Sequence, residues 1–376
     1  MLNEISLKYS ILSLLDMIGS FQGLVFGFIL IFFHKRKIKT TLFLGIFLVL
    51  YSLQKIPRIL REINFFDFYP ELYALPLNSL WILYPVFLLY TEKLTIFKNE
   101  KQKIWILYPG IISYLVQLYI FFQPYEKKLI IEESIWLKVF YIVGLALGYM
   151  IAFFNLKLLK THLNAIKNYF SEIETVELQW VKKFIYVSIF GSALYAIFYF
   201  APIKNPSVKI YFVCFDLIII YWLSYHSLIQ RNILSIKSKT SNFYDVVNSD
   251  MDVSKNTNDI DKDTVHLMQK IDNYITNTEC YLKKDLSVFD LAANLEIHPR
   301  KISTTINNVK KQNFNNYINS FRIKKATFFL KNSDDNKLSI EGIGNQVGFQ
   351  SKSAFYAAFK KETGATPTAY LKKTVS

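Results

Sequence analysis

Long apolar runs fill the first 233 residues of the chain, and a different pattern takes over after them. Crossing the hydrocarbon core of a bilayer takes about 20 mostly apolar residues. Seven stretches meet or approach that length: 10–33, 40–56, 72–91, 103–123, 136–156, 181–201 and 208–229. The second is short, and the third carries Pro76, Asn78 and Pro85. A soluble bundle would show a polar residue every third or fourth position, and Leu42–Leu50 and Phe212–Leu223 show almost none. The pattern predicts an N-terminal bundle of about seven transmembrane helices over 1–234. Only Lys8 precedes the first run as a positive charge, so that run is expected to be a retained helix and not a cleaved signal peptide. The connection 157–180 has Leu158, Leu159, Leu163, Ile166 and Phe170 on one side, and is expected to extend the fifth helix amphipathically.

Residues 235–262 are dominated by Ser, Thr, Asn, Asp and Lys, which bury too little surface to fold alone. As a coil this linker would reach about 30 Å and would let the following domain pair with a neighbour's, as in a homodimer. Helical periodicity returns at Thr264, where Val265, Met268, Ile271 and Ile275 define one apolar face. No alternating strand pattern occurs in 263–376, so the whole chain is expected to be all-α.

Within that domain Ser287, with Asp290 three residues on, gives a capping box for a short helix whose inner face is Leu291, Ala292 and Leu295. His298-Pro299 then opens a second helix, with proline at a first-turn position where its missing N–H costs nothing. Ile302 and Ile306 point inward, and Arg300, Lys301, Ser303, Thr304 and Asn307 outward. A short helix, a tight turn and a second helix with a polar outer face is a helix-turn-helix pattern. It recurs. Ser339-Ile340 begins a helix with Ile343, Gly344 and Val347, Gly348 permits a left-handed turn residue, and Phe349 plugs the core. Ser351 caps the next helix, with Phe355 and Phe359 inward and Lys352, Ser353, Tyr356, Ala357 and Lys360 outward. Gly364 stops it and Pro367 starts the last helix. Phe314–Lys331 is long enough to hold both units rigidly.

Residues 264–374 resemble the AraC/XylS-type DNA-binding domain, which carries two helix-turn-helix units joined by one long helix. The likeness rests on Val347-Gly348-Phe349, Ser351, Phe355, Phe359-Lys360-Lys361, Gly364, Thr366-Pro367 and Tyr370, and on Phe321-Arg322-Ile323, Ala326 and Leu330 in the long helix. The chain departs from the family where its usual glycine before the long helix falls near Lys311–Asn313, where Ile306 replaces a late aromatic, and where Gly344 stands in place of alanine. The resemblance implies that the second helix of each unit enters the major groove, whose donor and acceptor pattern differs for every base pair. Carried over by position, Arg300, Ser303 and Thr304 would reach bases from the first unit, and Ser353, Tyr356 and Ala357 from the second. Lys301, Lys352 and Lys360 are placed for phosphates, which set register without reading sequence. The second unit is short of long polar readers and would rely on weak or shape readout. The N-terminal half resembles membrane-embedded regulators carrying such a domain only in its arrangement.

Charge sharpens this picture. The net charge is +15, and residues 262–376 carry 18 Lys and Arg against 10 Asp and Glu, which suits a nucleic-acid partner. With the N-terminus outside, inner connections hold 13 Lys and Arg (Lys35, Arg36, Lys37 and Lys39; Lys93, Lys98, Lys101 and Lys103; Lys157, Lys160, Lys167, Lys182 and Lys183) and outer ones hold 9. Seven spans then put the C-terminal domain in the cytoplasm, on the inner face of the cytoplasmic membrane. Asp16 and Asp216 are ionisable groups inside apolar runs, and Asn78 and Gln117 fall at similar depth. Such groups face a bundle interior, where they mark a signal pocket near the outer face or simply join helices.

The two cysteines have no ligand spacing, the five histidines form no metal motif, and no P-loop, GxSxG or GxGxxG occurs. No catalytic residue, metal or cofactor is therefore expected. The reading is a membrane-embedded, sequence-specific transcription regulator coupling an unidentified signal to promoter DNA. The alternative is a membrane transporter or enzyme with a regulatory DNA-binding tail.

Overall fold

A computed structural model describes residues 7, 9–33, 40–97, 103–174, 176–200, 206–229, 262–331 and 339–375. Among them the protein is all-helical, with several long apolar N-terminal helices and a C-terminal helical domain. The linker expected at 235–262 lies outside the described residues except for Lys262, as do Lys35–Lys39, Lys98 and Lys101. The chain divides into two compact units. The first takes residues 1–95, 99–159 and 178–230; the second takes 96–98, 160–177 and 231–376.

The first unit contains α1 (Ile11–Phe28), α2 (Thr40–Leu53), α3 (Ile56–Glu62), α4 (Phe65–Phe68), α5 (Leu80–Leu94), α6 (Tyr108–Phe121), α7 (Tyr125–Glu133), most of α8 (Ile135–Ile166), α9 (Gln179–Phe200) and α10 (Pro206–Ile229). Among the described residues six helical stretches are long and apolar enough to cross a membrane: Ile11–Phe32, Thr41–Glu62, Ile104–Phe121, Ile135–Ile166, Gln179–Phe198 and Lys209–His226. The expected third span is the exception. Its first part, around Pro76 and Asn78, is not helical, and α5 has 15 residues, about 22 Å at 1.5 Å per residue.

Close packing in this unit uses small residues, which let helix backbones approach one another. The buried residues of α1 are Ser13, Asp16, Gly19, Ser20, Gly23 and Gly27, which form one stripe. A Cβ on Gly27 would stand 2.6 Å from Val49 Cγ2 of α2, one on Gly19 would stand 2.7 Å from Leu217 Cδ2 of α10, and one on Gly23 would collide with Ser52 Oγ. Meanwhile Ile11, Ile18, Phe21 and Phe32 are exposed. α5 is buried at every position from Pro85 to Thr91. It runs parallel to α8 and in step with it. Trp81 packs on Gly144 and Tyr84 on Gly148, and Asn155 Nδ2 donates to Thr91 Oγ1 at 3.2 Å.

The second unit holds α11 (Lys262–Thr278), α12 (Val288–Leu295), α13 (Pro299–Lys310), α14 (Phe314–Lys331), α15 (Ile340–Gln346), α16 (Lys352–Thr363) and α17 (Pro367–Val375). It has two apolar cores sharing α14. One gathers Met268, Ile271, Leu291, Ile302, Ile306 and Ile318; the other gathers Ala326, Ile343, Val347, Phe349, Phe355 and Phe359. The first core also takes in Ile166, Tyr169, Phe170 and Val176 from the connection between α8 and α9. The amphipathic extension foreseen for α8 thus ends at Ile166. Val265 corrects the reading of α11: it is 41% exposed, and Leu267 is buried instead.

Candidate nucleic-acid interface

The capping box predicted for α12 is formed. Asp290 N donates to Ser287 Oγ at 3.3 Å, and Ser287 N donates back to Asp290 Oδ2 at 2.8 Å. Lys283 Nζ adds a contact to Asp290 Oδ1 at 3.1 Å. Burial works against the charge of Asp290, but the Ser287 hydroxyl and amide with the Lys283 ammonium outweigh it and hold the carboxyl below the usual carboxylate range. α12 ends on Glu296 in a left-handed conformation (φ 57°), and Pro299 opens α13. Within Lys311–Asn313, where a glycine was expected by resemblance, Lys311 adopts the left-handed conformation (φ 54°).

The second unit is built the same way. Ser339 Oγ accepts from Gly342 N at 3.1 Å, and Gly348 takes the left-handed turn (φ 100°). A Cβ there would stand 2.7 Å from Leu282 O, so glycine is required both by conformation and by space. Gly344 lets the Phe355 ring approach: an added Cβ would stand 2.9 Å from its Cδ1. Ser351 caps α16 by accepting from Ala354 N at 3.1 Å, and Gly364 ends the helix (φ 79°).

The expected outward residues divide. On α13, Lys301 and Thr304 are exposed, and Arg300 and Asn307 are half-buried. Thr304 Oγ1 donates to Arg300 O at 2.9 Å, which turns its hydroxyl back onto the helix. Ser303 corrects the reading. It is only 2% exposed, because it stands next to Ile302 and three residues before Ile306 and shares their buried side. On α16, Lys352, Ser353, Ala357 and Lys360 are exposed and Tyr356 is half-buried. Ser351 is engaged as the cap, and Lys352 pairs with Glu341. Two of the residues meet the connection between α8 and α9: Asn307 Nδ2 lies 3.5 Å from Asn168 Oδ1, and Ser353 Oγ donates to Glu174 Oε1 at 2.7 Å.

One organising residue was not singled out by sequence pattern. Arg322, on α14, is fully buried. Its Nε donates to Tyr281 O at 2.7 Å and its Nη2 to Lys283 O at 2.8 Å, while the guanidinium lies over the Phe349 ring at 5.4 Å. It therefore fastens the turn before α12 to the core plug of the second unit. Burial pulls it down to about 10, with the Glu172 charge opposing. Its signal in the sequence was an arginine inside an otherwise apolar helix face.

The four polar residues of the apolar half form two clusters. Arg58 donates from Nε to Asp16 Oδ2 at 2.9 Å and from Nη2 to Asp16 Oδ1 at 2.7 Å and Asp216 Oδ2 at 2.9 Å. Lys55 Nζ stands 3.3 Å from Asp216, and Tyr51 OH donates to it at 2.6 Å. Two carboxylates thus face two cations. Asn78 and Gln117 satisfy each other: Asn78 N donates to Gln117 Oε1 and Gln117 Nε2 donates to Asn78 O, both at 2.9 Å.

Residues 291–373 match the family model of a helix-turn-helix domain of the AraC type. Among solved structures, a protein of unknown function from Listeria innocua is 26% identical to this chain, over 28% of this chain and 95% of its own, with a TM-score of 0.25. Comparison with curated proteins gives no match. The family match supports a DNA-binding transcription regulator.

Proposed function

We propose that the chain is a membrane-embedded, sequence-specific transcription regulator whose C-terminal reader works in the cytoplasm. The observation that carries this is the conjunction of a helix-turn-helix match at 291–373 with six helices apolar and long enough to span a bilayer in the same chain. α5 supplies the seventh crossing. It keeps step with part of α8, from Trp81 against Gly144 to Thr91 against Asn155, which supports a shorter crossing beside that helix. Seven crossings put the two ends of the chain on opposite sides, and the excess of Lys and Arg in the expected inner connections favours an inner C-terminus.

Duplex DNA is the partner, with Arg300, Lys301, Thr304 and Asn307 on α13 and Lys352, Ser353, Tyr356, Ala357 and Lys360 on α16 as the groove-facing set. A signal acts through the bundle, where the Asp16–Arg58–Asp216 network joins α1, α3 and α10 and is the place at which a changed charge would shift three helices together.

The full-length chain in lipid nanodiscs tests this reading. It should bind duplex DNA with affinity falling steeply as salt rises. Arg300→Ala should weaken a selected site by about 1–3 kcal/mol while leaving mixed-sequence DNA little changed. Equal loss on both would make Arg300 a phosphate contact, and no binding at low salt would end the DNA reading.

A further inference from the structure

The connection between α8 and α9 looks like an inner loop in the sequence, yet within the second unit it is laid across the reader. Near α13, Asn315 N donates to Lys167 O at 3.0 Å and Asn168 meets Asn307. Midway, Tyr169 stacks on Phe289 with ring centres 5.6 Å apart. Val288 N donates to Tyr169 O at 2.9 Å and Ser171 N to Leu286 O at 3.0 Å, a strand-like bridge onto the start of α12. Arg322 Nη2 donates to Ser171 Oγ at 3.1 Å, and Asn315 Nδ2 to Ser171 O at 2.7 Å. At the far end Glu174 accepts from Ser353 in the first turn of α16, and the buried Glu172 faces the amide of Gln350 just before that helix. His162, also buried, closes the loop back on itself: Ile96 N donates to its Nδ1 at 3.3 Å, and its Nε2 lies 2.8 Å from Val176 O.

Three features of this strap bear on DNA. Its ends hold Asn307 and Ser353, one residue from each proposed reading helix. It sets two carboxylates at the N-terminal end of α16, where the helix dipole and free amides favour an anion and where a phosphate or base edge would otherwise come. Its centre is packed into the apolar core and tied by backbone hydrogen bonds to Leu286 and Val288, so it is a built contact and not a surface graze. We propose that residues 167–177 are an intramolecular competitor of DNA: docked, the strap covers part of the reading surface with negative charge, and binding to the duplex requires its release. This rests on the DNA reading proposed above. Because the strap is continuous with α8 and α9, a shift of those helices is the natural means of pulling it off. Apparent affinity for DNA then falls by the fraction of molecules in which the strap is undocked.

The test uses the full chain in nanodiscs with Cys214→Ser and Cys280→Ser, adding Glu174→Cys and Ser353→Cys joined by a reducible bis-maleimide. Binding of a fluorescent mixed-sequence duplex is read by anisotropy at low salt. Joined protein should bind roughly tenfold or more weakly than the same protein after reduction, within the usual range of coupling between two sites. A second variant, Asn168→Ala with Tyr169→Ala, changes no charge and should bind more tightly than its parent. Equal binding before and after reduction, or no gain in the neutral variant, overturns the strap. Failure of every form to bind, the reduced and the neutral variants included, removes the DNA reading itself and the strap with it.

Discussion

Asp290 shows how much one residue carries in the reader. It completes the cap of α12 and holds Lys283, whose carbonyl accepts from Arg322. Loss of such a cap costs about 1 kcal/mol, so Asp290→Ala should lower the unfolding free energy of the second unit, read from a chemical melt, by that order. Because its folded carboxyl lies below the usual carboxylate range, the contribution is present at neutral pH. It is lost only as pH falls through that depressed value. The difference between parent and Asp290→Ala should therefore vanish in strong acid and persist above it. Arg322 is a larger case. Arg322→Leu leaves the carbonyls of Tyr281 and Lys283 buried without their donor and should cost about 3 kcal/mol or more. Lysine cannot reproduce its several directed bonds and should recover little of this in the same melt. The cap was legible in the sequence because Ser287 and Asp290 sit three apart. The role of Arg322 was not, since its acceptors, the carbonyls of Tyr281 and Lys283 and the hydroxyl of Ser171, lie far from it in the sequence and no local pattern records them.

Among the elements, α1 is the clearest instance of sequence dictating packing. Gly19, Gly23 and Gly27 recur every fourth residue and form the stripe on which α2 and α10 close. Gly23→Ala would drive a methyl into Ser52 Oγ, and overpacking of this kind costs about 1–3 kcal/mol. Its thermal midpoint in detergent should fall, while Ile18→Ala, on the exposed face of the same helix, should change little. The apolar runs revealed most of these helices, because length and hydropathy are local properties. α5 was harder. Its 15 helical residues fall short of a full span and are buried from Pro85 to Thr91, and its neighbour α8 reveals its placement better than its own composition does. The Asp16 and Asp216 pairing was half legible: their depth suggested a meeting, but Arg58 and Lys55 counted only as loop charges until the start of α3 set them against the two carboxylates. In α13, periodicity placed Ile302 and Ile306 correctly and misplaced Ser303, which lies at the edge of the buried stripe where one neighbouring segment decides the outcome.

At the scale of the whole molecule, several long apolar helices and a helix-turn-helix domain share one chain. Composition places a division at residue 234, where the apolar runs stop, and that boundary lies outside the described residues. The strap was invisible to that division, since residues 160–177 come before it in sequence and belong to the reader's unit in space. The most direct measurement recovers DNA cross-linked to the protein in intact cells, fractionates the membranes and sequences what stays with them. The account predicts a discrete set of sites in the membrane fraction, depleted when Arg300→Ala and Thr304→Ala are combined. Membrane-fraction DNA indistinguishable from that of a chain truncated before residue 262 would contradict it.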